Sequence, residues 1–336
     1  MSGGVDSAVA AMLTQRSGVD CAGATMKLHA YGSDGAEDAR SAADKLGIPF
    51  HIFDFTDAFN TRVVDRFVGA YREGRTPNPC VDCNKHIKFG CFMEKMRELG
   101  KDFVVTGHYA QTTQSASGRF LLKKGADASK DQSYVLYSLT QDQLARVMFP
   151  LGGLSKTQVR DLAYETGLAN AGKRESQDIC FLPDGEYAKF IEDHAGGPPR
   201  KGRFIDPEGK DLGENKGVIH YTIGQRKGLG LAMPYPAYVL ELRPDDDTVV
   251  VGANDLLYSK TLRIQDINLI PVDRLGSPFR ARVKIRYKQP EQPAYVEQTG
   301  DDSIIIEFDE PQRAITKGQS AVIYDGDVVI GGGTIV

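Results

Sequence analysis

The chain has 336 residues, of which 41% are apolar and 26% are charged, and this composition excludes collagen-like and largely disordered proteins. At roughly 100–200 residues per domain, the length predicts two or three domains. The formal net charge of −4 means that any contact with nucleic acid must come from local basic patches. Since no apolar run approaches the ~18 residues that span a bilayer and the N-terminus lacks a signal-peptide pattern, we predict a cytoplasmic protein.

The first half of the chain alternates helix-like and strand-like segments. Helical patterns cover residues 7–15, 36–46, 59–73, 89–99, 140–147 and 156–166. Strand-like patterns cover residues 19–26, 50–55 and 103–106. Alternation on this scale predicts an α/β domain with a doubly wound, mainly parallel sheet.

The pattern changes near a Gly-Gly-Pro-Pro sequence at residues 196–199. Beyond it, short β-branched runs separated by turn signals predict strands at residues 218–223, 237–242, 248–251, 304–308 and 321–324. These runs predict a small central β-rich domain and a C-terminal β-barrel, with a boundary near Tyr258. We therefore predict domains at residues 1–197, 198–257 and 258–336.

The sequence SGGVDS at residues 2–7 stands directly before the first predicted helix. Its two glycines allow close approach to an anion, and the N–H groups at a helix start point towards it. A plain glycine-rich turn is the alternative, and Asp6 would suit a phosphate loop only if Mg²⁺ shared the site. The loop resembles the signature of the PP-loop ATP pyrophosphatases, which implies ATP binding. A doubly wound fold places a strand before such a loop, so we expect this sheet to lack one strand.

The segment TPNPCVDCNK at residues 76–85 carries two of the five cysteines, Cys80 and Cys83. Its prolines stiffen the backbone and oppose a helix, so we expect Asn78 and both thiols on a rigid loop. Positively charged residues follow closely and are expected to favour the reactive thiolate. The alternatives are a structural loop, a zinc site, and an iron–sulfur site that also uses Cys180.

Cys180 lies in the sequence SQDICF, where polar residues interrupt the apolar pattern. Free cysteines are commonly buried core residues, but the basic and polar neighbours favour a functional role for Cys180. Folding could bring it to Cys83. Cys21, in a predicted strand, and Cys91, on a predicted helix, are interpreted as structural.

Taken together, these motifs resemble the tRNA-specific 2-thiouridylases of the MnmA type. The phosphate loop, TPNPCVDCNKHIKF, TGHYA, KDQSYVLY, SQDICF, GQRKGLG and RYKQ occur in that order along the chain. The resemblance implies a PP-loop catalytic domain (adenine nucleotide alpha hydrolase-like), a small central domain and a C-terminal β-barrel. It also implies thiolation of the wobble uridine, position 34, of tRNA.

Residue roles follow from the resemblance, position by position. The implied ATP-binding residues are Met1, Ser2, Gly3, Gly4, Val5, Asp6, Ser7, Met26 and Gly107, with Mg²⁺ expected. Cys83 corresponds to the nucleophile and Cys180 to the persulfide carrier, whereas Asn78, Pro79 and Cys80 correspond to the target-base contacts. The implied tRNA contacts are His108, Lys130, Asp131, Gln132, Arg286, Tyr287 and Gln319. Cys80 departs from the family, whose best-known members carry aspartate there.

The chemistry that the resemblance implies has three stages. ATP adenylates O2 of the uridine, a persulfide on Cys180 supplies sulfur, and AMP and pyrophosphate are released. The implied partners are a persulfide carrier protein and tRNAs for Lys, Glu and Gln. Whether Cys83 first frees sulfide or later resolves an adduct stays open. The alternatives are another PP-loop ligase, an iron–sulfur-dependent tRNA thiolase, and a non-catalytic nucleotide- or tRNA-binding module.

A basic strand near the C-terminus is a candidate tRNA surface. Its cations alternate with apolar residues and are predicted to share one face: Arg280, Arg282, Lys284, Arg286 and Lys288. Their spacing of ~6.6–6.8 Å is comparable to the distance between successive phosphates. A solvated outer barrel face is the alternative. The basic loop at residues 225–227 could extend this surface.

Overall fold

The computed structural model describes residues 1–29, 35–168, 179–182 and 186–336. The α-helices in these ranges are α1 (Val5–Arg16), α2 (Ala36–Leu46), α3 (Thr56–Phe59), α4 (Asp65–Arg72), α5 (Pro79–Asp82), α6 (Phe92–Glu98), α7 (Gln141–Leu144), α8 (Lys156–Glu165) and α9 (Tyr187–Ala195). Two π-helical segments (Asn60–Val64 and Cys83–Cys91) join α3 to α4 and α5 to α6. None of the helices among the residues described is both long and apolar enough to cross a membrane.

The strands of the described residues fall into four sheets. In chain order they are β1 (Gly23–Lys27), β2 (Phe50–Asp54), β3 (Val104–Val105), β4 (Ala110–Gln114), β5 (Phe120–Lys124), β6 (Val147–Met148), β7 (Arg203–Ile205), β8 (Asp211–Glu214), β9 (Tyr238–Arg243), β10 (Thr248–Gly252), β11 (Tyr258–Leu269), β12 (Phe279–Lys284), β13 (Gln292–Gly300), β14 (Ser303–Arg313), β15 (Ser320–Asp325) and β16 (Val328–Ile335). Short 3₁₀ turns occur at Ser133–Leu136, Val218–His220 and Asn254–Leu257.

The first domain has the predicted α/β class. β1 and β2 pair in parallel, with Gly23 opposite Phe50, and β3 and β6 form a second parallel pair. Within the described ranges these two pairs are not hydrogen-bonded to each other. The Met1 amine donates to the Ala24 carbonyl in β1. The missing strand expected from the sequence stays a prediction.

Two predicted helices are confirmed but extend beyond their predicted starts. The chain is helical from α3 through α4 and from α5 through α6, in each case with a π-helical segment in the middle. A π-helix has i to i+5 hydrogen bonds and is found frequently at functional sites. Here the longer π segment begins at Cys83.

The central domain contains a four-stranded sheet in the order β8-β7-β10-β9. β10 is buried at all five residues and pairs in parallel with β7 and antiparallel with β9. The predicted strand at residues 218–223 is wrong, because its start is a 3₁₀ turn. Val218 and Tyr221 are both buried, which is the i to i+3 pattern of such a turn.

The C-terminal barrel is confirmed as a closed sheet. Its strands follow the order β11-β14-β13-β12-β15-β16, and β16 returns to pair with β11. The β4–β5 hairpin of the first domain continues this sheet, since Lys123 of β5 pairs with Val328 of β16. Lys124 reinforces the junction through its backbone N–H to the Asp327 carbonyl (2.9 Å) and its ammonium to Glu291 (2.7 Å).

One apolar cluster joins the helices of the first domain to the central domain. It contains Phe59 and Phe67 from the helices, Cys83, Phe181 beside Cys180, and Val249 from β10. Cys83 therefore belongs to this core, and Cys180 is next in the chain to one of its residues.

Candidate active site

The loop at residues 2–7 wraps around the N-terminus of α1. Gly4 is the N-cap, and no side chain caps the helix. Gly3 has a φ of +74°, and an added Cβ there would lie 2.4 Å from the Gly35 carbonyl oxygen. The Ser7 hydroxyl accepts the Ser2 N–H (3.0 Å) and donates to the Gly4 carbonyl (3.0 Å). The loop therefore presents the N-terminal end of a 12-residue helix, which favours anions.

Asp6 is held by other protein groups. Lys156 Nζ lies 2.7 and 2.9 Å from its two carboxylate oxygens, and the Tyr109 hydroxyl donates to Oδ1 at 2.9 Å. The Lys156 side chain is 10% exposed and that of Asp6 is 31% exposed, so this is a partly buried ion pair. An acidic residue in the loop is thus explained without a metal ion.

The described residues do not supply a metal site. Within those ranges, no group of three histidine, cysteine or carboxylate side chains lies close enough to hold an ion. The carboxylate expected to accompany Mg²⁺, Asp6, is already paired with Lys156. The iron–sulfur alternative built on Cys80, Cys83 and Cys180 gains no support from this geometry.

Gly107 and Met26, which the resemblance implies are ATP-binding residues, lie outside the loop in sequence. Gly107 follows β3 and packs on the first turn of α1, because an added Cβ would lie 2.7 Å from the Asp6 carbonyl carbon. Met26 lies in β1 opposite Phe53 and is partly buried. Contact of both residues with ATP, like that of Met1 and Val5, stays a prediction.

The cysteine segment is a helix rather than the rigid loop that we predicted. Asn78 is the N-cap, and its Oδ1 accepts the Cys80 N–H at 3.2 Å. Pro79 occupies the first helical position, where its fixed φ and missing N–H are tolerated. Cys80 and Cys83, three residues apart, are neighbours on this helix.

The expected thiolate at Cys83 is also wrong for the structure as it stands. Burial raises its pKa to about 11, and the opposing charge of Lys88 does not overcome this effect. Burial likewise raises the pKa of Cys80, although the charge of Lys88 acts to lower it. Burial also raises the pKa of Asp82, although the charge of Arg66 (Nε to Oδ1, 3.4 Å) acts to lower it. Cys83 is therefore a neutral thiol near pH 7.

Cys180 is exposed and lies near Cys83. After burial, the electrostatic interaction with Cys180 is one of the causes that raise the pKa of Cys83. The adjacent Phe181 packs against Phe59 and Phe67 at ring-centroid distances of 5.6 and 5.4 Å. The rest of the SQDICF motif, residues 176–178, lies outside the described residues. A reaction between the two thiols stays a prediction that this arrangement supports.

Alkylation can test the neutral state of Cys83. With a pKa of about 11, only about one thiol in a thousand is ionised at pH 8. We expect modification of Cys83 by iodoacetamide, followed by peptide mass spectrometry, to accelerate about tenfold per pH unit between pH 8 and 10. A cysteine-containing peptide is the control. A rate for Cys83 that levels off near pH 9, as for an ordinary thiol, would contradict this result.

The expected tRNA contacts fall into two groups, and the first is largely internal. His108 is buried between Phe89 and Phe149. Burial, and to a smaller extent the charge of Lys88, lowers its pKa well below the usual value. Asp131 accepts the Gly125 and Ser133 N–H groups. Gln132 exchanges backbone and side-chain hydrogen bonds with Tyr109, and Lys130 is half-buried beside them. Direct contact of these side chains with RNA stays a prediction.

In the second group, Gln319 connects the barrel to the cysteine helix. Gln319 Nε2 donates to the carbonyls of Thr76 (2.9 Å) and Pro77 (3.3 Å), and the Thr76 N–H donates to the Lys317 carbonyl (2.8 Å). An added Cβ at Gly318 would lie 3.0 Å from the Thr76 backbone. We call residues 317–319 the barrel clamp. It holds the segment just before Asn78.

The basic strand is only partly as predicted. Ala281, Val283 and Ile285 are buried, which confirms the alternation, but β12 ends at Lys284. Its outward cations are mostly engaged by groups of the protein: Arg280 with Asp309, Arg282 with Glu291, and Arg286 with the carbonyl of Ala314. Lys284 lies near the Tyr134 and Tyr287 rings, and Lys288 is exposed. The expected open row of five cations is therefore wrong.

The sequence interpretation overlooked Lys156. It lies 150 positions after Asp6, and no local motif links the two. The available signal was only its place at a helix start, after the N-cap Ser155. Pairing between such distant residues is fixed by the packing of α1 against α8.

Comparison with known proteins assigns the family. Three family models match consecutive blocks: the tRNA methyl transferase HUP domain at residues 1–184, the tRNA methyl transferase PRC-barrel domain at 188–253, and the aminomethyltransferase beta-barrel domain at 259–335. A protein of Clostridioides difficile named tRNA-specific 2-thiouridylase MnmA is 47% identical over 347 residues, covering 100% of this chain and 96% of the relative. The chain belongs to the MnmA family.

Two further MnmA relatives are similar along the whole chain. Those of Lachnoclostridium phytofermentans and Carboxydothermus hydrogenoformans are 43% and 45% identical, covering 100% of this chain and 98% and 96% of their own lengths. The fold class predicted from the sequence agrees with the MnmA domain series and is confirmed.

Proposed function

We propose that this protein uses ATP to convert uridine 34 of tRNA to 2-thiouridine. The tRNA substrate follows from the names of its MnmA relatives. The observation that supports the chemistry most is the proximity of Cys180 to Cys83 on the apolar core of a domain that also presents a phosphate-type loop. A ligase without sulfur chemistry has no need for this pair.

The first step activates the uridine. Its O2 attacks the α-phosphorus of ATP, the bond from that phosphorus to the bridging oxygen breaks, and pyrophosphate leaves with the electron pair. The N3 proton is lost, so O2 becomes part of a phosphate ester. The N-terminus of α1 would bind the pyrophosphate charge through backbone N–H groups.

The second step transfers sulfur. The Cys83 thiolate attacks Sγ of the Cys180 persulfide, forming a Cys83–Cys180 disulfide and releasing hydrosulfide. Hydrosulfide attacks C2, the C2–O2 bond breaks, and AMP leaves with the electron pair. In the alternative order, the persulfide attacks C2 first and Cys83 then cleaves the adduct. Either order leaves a disulfide that an external dithiol must reduce.

Cys83 must lose a proton before it attacks. Asp82 is adjacent in the chain, and burial raises the pKa of its carboxyl group, which makes it a better proton acceptor than an ordinary aspartate. We propose Asp82 for this role, in place of the aspartate that the best-known MnmA proteins carry at the position of Cys80.

The remaining partners are inferred by family. Cys180 is exposed and is thus accessible to a persulfide carrier protein. We propose the tRNAs for Lys, Glu and Gln as substrates and a cytoplasmic location. Mg²⁺ is proposed only as the counterion of ATP, because Asp6 is already paired and we assign the ion no protein ligand.

Nucleoside mass spectrometry tests the function. We expect the protein, unmodified tRNA for Glu, ATP, Mg²⁺ and sulfide to yield 2-thiouridine, with one AMP and one pyrophosphate per modified base. The same tRNA with cytidine at position 34 is the control and should stay unmodified. Release of pyrophosphate without tRNA, and no 2-thiouridine with it, would favour another PP-loop ligase.

A further inference from the structure

Lys88 is a partly buried cation for which the described residues provide no counterion. It lies in the π-helical segment between Ile87 and Phe89, which are 0% and 1% exposed. No carboxylate in the described ranges forms an ion pair or hydrogen bond with its ammonium group, in contrast to Lys156 with Asp6 and Lys124 with Glu291. Even partial removal of an ammonium group from water is unfavourable when the group has no partner. An anionic ligand would relieve that cost.

The position of Lys88 connects the thiols to the phosphate loop. The five-residue step of a π-helix brings Lys88 alongside Cys83. On the other side, the Phe89 ring lies 5.9 Å from that of His108, and the preceding Gly107 packs on the first turn of α1. Burial is the main cause that lowers the pKa values of His108 and the Met1 amine, and the charge of Lys88 is the second cause.

The reaction places negative charge in this region. If pyrophosphate is held at the N-terminus of α1 and C2 of the uridine is held over Cys83, the α-phosphate must lie between them. Lys156 is an unsuitable partner for that group, since its ammonium already binds both oxygens of Asp6. Among the protein's own cations, one that is not paired with a carboxylate is better suited to bind the α-phosphate.

We propose that the Lys88 ammonium binds a non-bridging oxygen of the α-phosphate and is a further catalytic residue. This inference rests on the proposed function. Lys88 stabilises the charge on the α-phosphate as O2 bonds to phosphorus and pyrophosphate departs. It stabilises the same group again when the C2–O2 bond breaks and AMP leaves. It gives up no proton and forms no covalent bond in either step.

Lys88→Met tests the proposal, with Lys85→Met as the matched control. Lys85 is exposed on the same π-helical segment, so its loss removes an equal charge from outside the site. We expect Lys88→Met to lower kcat for tRNA-dependent pyrophosphate release by roughly a hundredfold, the effect of removing one preorganised charge. Lys88→Arg should recover part of the rate. Lys85→Met should keep kcat within about twofold at saturating tRNA, since it removes no catalytic charge.

Thermal melting of the same variants separates catalysis from folding. Because Lys88 lacks a counterion, Lys88→Met should keep or raise the Tm of the ligand-free protein while it loses activity. Pyrophosphate release at the Lys85→Met rate would overturn the inference. So would unchanged release with slower alkylation of Cys83 alone, since Lys88 would then serve the thiol. A wild-type protein that makes no 2-thiouridine would instead refute the proposed function.

Discussion

Cys180→Ser and Cys83→Ser are each expected to reduce persulfide-dependent formation of 2-thiouridine by roughly a thousandfold or more. Serine at position 180 cannot carry the persulfide, and serine at position 83 cannot cleave it. The measurement is 2-thiouridine per tRNA with a persulfide-loaded carrier as the only sulfur source. Cys91→Ser is the matched control, because Cys91 ends the same π-helical segment and its sulfur accepts a hydrogen bond from the exposed Arg62 (3.8 Å).

Two further readouts test whether the thiols act in sulfur transfer, through a bond to each other, and not in ATP binding. We expect both variants to bind ATP as the wild type does, because neither cysteine belongs to the loop around α1. Peptide mapping without reductant should show a Cys83–Cys180 disulfide in wild-type protein after turnover. Thiolation by both variants at the Cys91→Ser rate would refute the two-thiol mechanism.

Gly107→Ala is expected to weaken ATP binding by at least tenfold. Its Cβ would lie 2.7 Å from the Asp6 carbonyl carbon and 2.9 Å from the Ser7 nitrogen, so the first turn of α1 must shift. Overpacking of this kind costs about 1–3 kcal/mol. Isothermal titration with ATP measures the affinity, and urea unfolding measures the loss of stability.

The control for this substitution is Gly153→Ala. Gly153 has open space around its added Cβ, so the same chemical change causes no clash. It should change ATP affinity by less than about twofold and stability by less than about 0.5 kcal/mol. Equal affinities for the two variants would show that Gly107 does not shape the nucleotide site.

Local sequence patterns predicted the helices and strands well, but they did not predict which distant residues contact them. The alternation of Ala281, Val283 and Ile285 with cations predicted the buried face of β12, because a strand has a period of two. It could not predict that Asp309 and Glu291, on other segments, would engage Arg280 and Arg282. Ion pairs between distant segments depend on the register of the whole barrel.

The cysteine segment shows the same division. The two prolines indicated a rigid, non-helical loop, but the first helical position accepts proline, so Pro79 begins α5 instead of preventing it. The pKa of Cys83 depends on its burial in the apolar cluster that also contains Phe59, Phe67 and Phe181, and the charges near it in the sequence do not show that burial. The separation of Cys83 and Cys180 along the chain likewise does not predict that they lie close together in the fold.

The attachment of the barrel at two places has a consequence for substrate selection. The β4–β5 hairpin extends β16, and the barrel clamp grips Thr76 and Pro77 next to the cysteine helix. Rotation of the barrel against the first domain would break both sets of hydrogen bonds. If RNA docks on the barrel, the distance from the docking point to Cys83 is therefore fixed. The nucleotide that reaches Cys83 is then selected by its distance from the docked part of the RNA as well as by its base.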